Sequence, residues 1–148
     1  MENIFIKNID DADIDAVNKL YNYYINKTAF TFDIKEKSLS EKKEWSKIFK
    51  KNSPHQCIVA YENDNLIGFA SSRPFRDKEA YVLSIETSVY IDKKYIGKGF
   101  GKLLMENLFN RINTYNVNRA YAFITEPNSA SEKLHLFLGY KKVGVLNK

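Results

Sequence analysis

An α/β fold built on a mixed, largely antiparallel sheet with helices on both faces is what the sequence predicts. Three observations carry that expectation. Strand-like and helix-like runs follow in the order strand, two helices, three strands, helix, strand, helix, strand, which is neither a regular alternation nor a sandwich. The three central strands have no helix between them and so pair antiparallel, leaving parallel pairing to places where a helix intervenes. A glycine-rich turn, Gly97-Lys98-Gly99-Phe100-Gly101, then leads from a β-rich run into a helix.

Ile4 to Ile9 reads as the first strand, and Asp10, Asp11 and Asp13 supply cap and dipole signals for a helix. In that helix Ile14, Val17, Leu20, Tyr21, Tyr24 and Ile25 recur at three- and four-residue spacing as one apolar stripe. Thr28 to Phe32 breaks the period and reads as a loop. Ser38-Leu39-Ser40-Glu41 has capping-box spacing and opens a second helix that runs, with Trp45, Ile48 and Phe49, to about Lys51. Gln56 to Tyr61 and Leu66 to Ser72 flank the turn-forming Glu62-Asn63-Asp64-Asn65 and read as a hairpin. Ala80 to Ile91, dense in β-branched and aromatic residues, is the next strand. Leu103, Leu104, Leu108 and Ile112 mark a helix from Phe100. Arg119 to Thr125 reads as strand, Ser129 to Leu138 as a helix stopped by Gly139, and Tyr140 to Val145 as a last strand.

With 148 residues and 44% hydrophobic content, residues 1–148 are expected to form one domain. The 23 Lys and Arg outnumber the 18 Asp and Glu, for a formal charge of +5, but they are scattered and form no basic arm. Nucleic-acid binding rests on that charge alone and is not expected. Cys57 is the only cysteine, which excludes an intrachain disulfide and a CxxC metal site, and its apolar run reads as buried core. The N-terminus lacks the pattern of a signal peptide, and no apolar stretch approaches the roughly 20 residues of a membrane span, so a cytoplasmic location is expected.

Glycines at alternate positions let the Gly97–Gly101 backbone bend tightly and approach a ligand, and the helix start beyond it presents fixed partial positive charge. A pyrophosphate suits such a turn, with Lys98 and Lys102 adding mobile charge, although a plain structural connection has the same appearance. The GKS/T ending of a Walker loop is absent.

Seven segments in order carry a resemblance: Leu20-Tyr21-Asn22; Thr28 to Asp33; Ser72-Arg73-Pro74-Phe75-Arg76; Ile85 to Ile91; Gly97 to Gly101; Asn128-Ser129-Ala130-Ser131; and Leu134-His135-Leu136-Phe137-Leu138-Gly139-Tyr140. Over nearly the whole chain they resemble the GNAT superfamily of acetyltransferases, and within it the phosphinothricin acetyltransferase group, which acetylates the amino group of small amino-acid-like compounds. The resemblance implies acetyl-CoA as acetyl donor and a sheet splayed at the cofactor. It also implies that Gly97, Lys98, Gly99, Phe100, Gly101 and Lys102 hold the CoA pyrophosphate. Val89, Tyr90 and Ile91 would pair with the pantetheine arm as an added strand, and Asn128 and Ser131 would complete the cofactor site. Pro127-Asn128-Ser129 reads equally well as a helix-entry turn.

Acetyl transfer to an amine needs a neutral nitrogen, donors for the oxygen that gains charge, and a proton for the departing thiolate. Glu86, inside the otherwise apolar run Ile85 to Ile91, is the candidate base, although a strand glutamate can equally serve a salt bridge. Strand alternation puts Glu86, Ser88 and Tyr90 on one face and Ile85, Thr87, Val89 and Ile91 on the other. The resemblance assigns oxyanion donation to a backbone N–H near Val89 and leaves His135 as acid or as a group that orients the acceptor. For the acceptor itself it points to Phe30 and Phe32 as pocket walls and to Arg73 and Arg76 as carboxylate or phosphinate clamps.

The chain departs from the group at Ile96, where Gln or Arg is usual, and at Lys78 and Val82, where arginines are usual. It stops at Lys148 without the glycine-, tryptophan- and aspartate-bearing terminal strand of the group, so that strand is expected to be missing and self-association at the sheet edge, as a homodimer, becomes plausible. The alternative reading is a CoA-binding protein of this fold with little catalysis.

Overall fold

The computed structural model describes residues 3–147; Met1, Glu2 and Lys148 lie outside the described residues. Five strands, β1 (Ile4–Asn8), β2 (Cys57–Glu62), β3 (Asn65–Pro74), β4 (Ser84–Ile91) and β5 (Arg119–Tyr121), lie side by side in sequence order. Helices α1 (Ile14–Lys27) and α2 (Leu39–Ser46) precede β2, α3 (Phe100–Ile112) joins β4 to β5, and α4 (Ser129–Phe137) follows β5. Neighbours from β1 to β4 pair antiparallel, and β5 runs parallel to β4. The parallel pair is the one whose connection contains α3, as the reach of a parallel crossover requires.

Strand alternation sorts the two faces of the sheet. Ile58 and Ala60 of β2 pack with Leu104, Met105 and Leu108 of α3, while Cys57 and Val59 pack with Val17, Leu20 and Tyr24 of α1. Each large apolar side chain buried this way contributes roughly 1.5–3 kcal/mol. On β3 the alternation slips: Ala60 pairs with Gly68 but Tyr61 with Leu66, so Ile67 is an extra residue in a bulge and joins the α3 face.

The chain enters α1 through a capping box. The Asp10 side chain accepts from the Ala12 N–H at 2.9 Å, and Asp13 accepts from the Asp10 N–H at 2.8 Å. The buried Asp13 carboxylate also takes the Lys7 ammonium at 2.6 Å and the Tyr61 hydroxyl at 2.8 Å, which ties β1, β2 and the helix start together. At α2 the predicted Ser38–Glu41 box forms in both directions.

Four sequence expectations need correction. The second helix ends at Ser46 rather than Lys51, because the next turn tightens into three-residue bonds from Lys47, Ile48 and Phe49. The strand expected from Ala80 begins at Ser84: its partner β3 ends at Pro74, and Glu79–Tyr81 turns into a 3₁₀ helix instead. The strand expected to Thr125 stops at Tyr121, where β5 leaves β4. Tyr140 to Val145 forms no strand: it joins no ladder of the described sheet, and Val143, Val145 and Leu146 are exposed. Gly139 does end α4, with a φ of +93° and the Tyr140 N–H bonded back to the His135 carbonyl at 3.0 Å.

No helix among the described residues is long and apolar enough to cross a membrane.

Gly68 of β3 lies close against the β4 backbone: a Cβ there would fall 2.3 Å from the Tyr90 carbonyl oxygen. Because that neighbour is backbone, Gly68→Ala must push the strands apart. We predict a loss of about 1–3 kcal/mol in urea unfolding; an unchanged midpoint would show that the strands separate freely.

Candidate active site

Strands β4 and β5 share a ladder over three pairs only, Ser84 with Arg119, Ile85 with Ala120 and Glu86 with Tyr121. Past Glu86 they part. Thr87 to Ile91 remain laddered to β3 on one side and have no strand partner on the other. That bare edge and the facing segment Ala122 to Ile124 wall a cavity of about 1030 Å³.

At one end the cavity meets the start of α3. Gly97 and Gly99 hold φ of +80° and +86°. A Cβ on either would meet nothing within 4 Å, so glycine is needed for the backbone conformation and not for space. Gly99 is the N-cap of α3, and no side chain caps the first turn. Gly99, Phe100, Gly101 and Lys102 open on the cavity with the positive pole of a 13-residue helix behind them. Lys98 does not line it; its ammonium lies 5.5 Å from the Tyr95 ring centre.

The α4 side carries Asn128, Ser131 and His135. Asn128 is the N-cap, its Oδ1 accepting from the Ser131 N–H at 3.3 Å, so the helix-entry reading describes that oxygen and the amide nitrogen is left over. His135 is 5% exposed, and its Nδ1 sits 2.7 Å from the Ser131 carbonyl oxygen. A carbonyl can only accept, so the proton is on Nδ1 and Nε2 carries the lone pair. Nε2 is buried with no partner among the described residues, and desolvation holds the imidazole below the ordinary histidine range. A neutral ring with its proton tied to Ser131 presents a lone pair, and no proton, at Nε2.

At the other end Glu86 faces Arg73 across the β3–β4 ladder. Both guanidinium contacts, Nε at 3.2 Å and Nη2 at 2.9 Å, fall on Oε2, which leaves Oε1 outside the ion pair on a residue that lines the cavity. The apolar setting expected for Glu86 is thus replaced by an ion pair, and Arg73 is occupied in holding it. Arg76 does not reach the cavity: its guanidinium stacks 4.2 Å from the Phe75 ring centre and donates to the Phe75 carbonyl.

Phe30 and Phe32 do line the cavity, on a loop fixed by an amide clasp. Asn22 on α1 donates to the Lys37 carbonyl at 2.9 Å and accepts from the Lys37 N–H at 2.8 Å. Tyr21 donates to Asp33, and burial with that contact pushes its hydroxyl above the ordinary tyrosine range. Its ring meets Tyr90 edge-on at 5.3 Å. Above Tyr21 lies Lys42, a cavity-wall residue that sequence reasoning missed, together with Asp33 and Trp45. The available signal was a lysine three residues before Trp45, on the face of α2 that turns inward. Cys57 is fully buried and its thiol is pushed far above the ordinary range, so it stays a core side chain. Among the described residues no group of three or more His, Cys, Asp or Glu could hold a metal ion.

A sheet parted at this point, with an uncapped glycine-led helix start at the base of the opening, defines an acyltransferase fold of the GNAT type. Residues 18–140 match the model of the acetyltransferase (GNAT) family, and the chain belongs to that family. It is 36% identical over 136 residues to a phosphinothricin N-acetyltransferase of Streptomyces coelicolor, covering 90% of this chain and 80% of that protein. It is 27% identical over 135 residues to an L-methionine sulfoximine/L-methionine sulfone acetyltransferase of Salmonella typhimurium, covering 91% and 78%. The structure of a GNAT phosphinothricin acetyltransferase from Sinorhizobium meliloti in complex with acetyl-CoA matches with a TM-score of 0.87 at 26% identity, covering 96% of this chain and 77% of that one. The chain is therefore an N-acetyltransferase of the phosphinothricin acetyltransferase-like group.

Burial lowers the affinity of both His135 and His55 for a proton. In the unfolded chain they titrate near the ordinary value of about 6.5, so below it the unfolded state binds more protons and folding stability falls. We predict that the urea-unfolding free energy drops from about pH 7 to about pH 5.5 and that His55→Gln combined with His135→Gln flattens the drop. An equal slope in the double variant would refute it.

Proposed function

We propose that the protein transfers the acetyl group of acetyl-CoA to the primary amine of a small amino-acid-like acceptor, of the phosphinothricin or methionine sulfoximine type. One observation carries this reading: a single cavity runs from the uncapped start of α3, along the bare edge of β4, to the carboxylate of Glu86. The names of the similar proteins supply the acceptor class.

The residues present fit the donor. The backbone of Gly97 to Lys102 would take its pyrophosphate, with the helix pole and the Lys102 ammonium balancing charge. The edge from Val89 to Ile91 would bond its extended amide-bearing arm, and the Asn128 amide nitrogen is free to join. Ser131 contributes less directly, through the cap and through His135. When bound, acetyl-CoA supplies an acyl group activated as a thioester.

The chain's own groups then do the following. Arg73 fixes Oε2 of Glu86, so Oε1 accepts the proton of the incoming amine, directly or through one water. Backbone N–H groups of β4 near Val89 would donate to the carbonyl under attack. Nε2 of His135 accepts a hydrogen bond on the opposite wall and helps to orient the acceptor. Phe30 and Phe32 close the acceptor end from the loop.

The test follows thiol release and N-acetyl product from acetyl-CoA with a panel of L-amino acids, L-phosphinothricin and L-methionine sulfoximine. Turnover with amino-acid analogues is expected, and Glu86→Gln should lower kcat/KM by roughly 10²–10⁴-fold while calorimetric CoA affinity is retained. CoA binding with no turnover of any amine would favour the CoA-binding alternative instead.

A further inference from the structure

Two formally charged acidic or basic side chains are buried among the described residues, Asp13 and Lys42. Asp13 is ion-paired with Lys7 at 2.6 Å. Lys42 is 3% exposed, and its ammonium makes no salt bridge and no hydrogen bond to any described residue. Its ammonium lies 3.9 Å from the ring centre of Tyr21 and 4.5 Å from that of Trp45, and the residue lines the cavity. The two aromatic faces attract the charge but accept none of its three N–H bonds in the ordinary way. An ammonium on a largely buried side chain, with its donors turned to a cavity and to no protein acceptor, is stabilised when something anionic meets it there.

The protein has an anion nearby and uses it elsewhere. Asp33 accepts from the Tyr21 hydroxyl and pairs with Lys37 at 3.2 Å. The other ionisable groups that act on Lys42 are Lys37 of the loop, Arg73 of β3 and the Cys57 thiol of β2, and the two cations repel it. Burial brings its pKa down to about 8, which leaves the side chain mostly protonated at neutral pH. Along β4, Glu86 and Tyr90 share one face, and Tyr90 packs against the same Tyr21 that lies under Lys42. The ammonium therefore sits on the acceptor side of the sheet, whereas Arg76, the expected clamp, is outside the cavity.

We infer that the Lys42 ammonium is the counter-ion for an anionic oxygen group of the acceptor, a carboxylate or an oxyacid, and selects acceptors that carry one. This rests on the amine-acetyltransferase reading above. The aromatic walls of Tyr21 and Trp45 cover two sides of the ammonium, and an anion that fills the remaining side would complete its burial and feel a stronger attraction than at an exposed contact.

Two arms test the inference. In the first, wild type, Lys42→Met, which keeps the apolar stem, and Lys42→Arg, which keeps the charge, are compared on L-phosphinothricin, L-methionine sulfone and the carboxamide of each. The carboxamides remove the carboxylate, and that of phosphinothricin retains the phosphinate, so the arm separates the two anions. Wild type should favour the anionic acceptors. Lys42→Met should raise KM for them by roughly 10- to 100-fold, with a smaller change in kcat, and erase the preference, while Lys42→Arg should keep it. CoA calorimetry and melting temperature report whether the variants are folded. A Lys42→Met enzyme that discriminates as wild type does would overturn the inference.

In the second arm, wild type with isotope-labelled lysine is titrated by NMR with and without L-phosphinothricin, in the absence of acetyl-CoA. The Lys42 midpoint should move up when the anion binds. A midpoint that does not move while the acceptor binds would also overturn the inference. Failure of wild type to acetylate any of these amines would strike the transferase reading instead, and the titration would still decide the role of Lys42.

Discussion

The structure depends on where one ladder stops. β4 and β5 pair over three residues and then separate past Glu86 and Tyr121. Had the pairing continued, the β4 edge from Thr87 to Ile91 would be spent on its neighbour and the sheet would be shut. Bare strand edges normally invite unwanted pairing, and this one is protected by facing an internal cavity flanked by helices on both sides. The same separation turns the start of α3 and the start of α4 toward a common space. Elsewhere the sheet is held firmly: Gly68 allows β3 to approach Tyr90 closely, and Tyr24 donates to the Ile91 carbonyl at 2.5 Å. The edge is therefore open and yet fixed in position.

Much of this was legible in the sequence because it rests on local rules. The Ser38–Glu41 box, the apolar stripe of α1 and the Gly97–Gly101 turn before α3 are each specified within a few residues. The extents of β4 and β5 were not legible, because their limits are set by partners. Val82 and Leu83 have strand-like side chains, but β3 has ended opposite them at Pro74. Ala122 to Ile124 are equally strand-like and form no strand because their pairing with β4 has ended at Tyr121. Tyr140 to Val145 illustrates the same point, since it joins no ladder of the described sheet. Strand propensity describes a surface that fits a sheet, and it cannot supply the neighbour.

The candidate site divides along the same line. Gly97, Gly99, Phe100, Gly101, Lys102 and the β4 edge could be found from spacing, since the relevant groups are backbone atoms whose placement follows from the local chain path. The side chains were harder. Arg73 and Arg76 look alike in sequence, three residues apart, yet one faces Glu86 in register and the other stacks on Phe75. His135 was visible as a helix residue, but its tautomer is decided by the Ser131 carbonyl one turn earlier. Lys42 was hidden by its charge: lysine on a short helix reads as solvated surface, and only the packing of α2 over Tyr21 puts it inside.

That division has a consequence for how the protein discriminates. Under the proposed function the α3 end would hold the donor through N–H groups of a glycine-led helix start, which are the same whatever side chains surround them, so Ile96 in the loop would cost little there. At the Glu86 end the polar side chains are held in a series: Glu86 by Arg73, Tyr21 by Asp33, Asp33 by Lys37, and Lys37 through its backbone by Asn22. A change at one link shifts the next. Under the proposed function, donor recognition would be insulated from substitution and acceptor recognition sensitive to it, so that the amine taken could change without altering how the sheet opens.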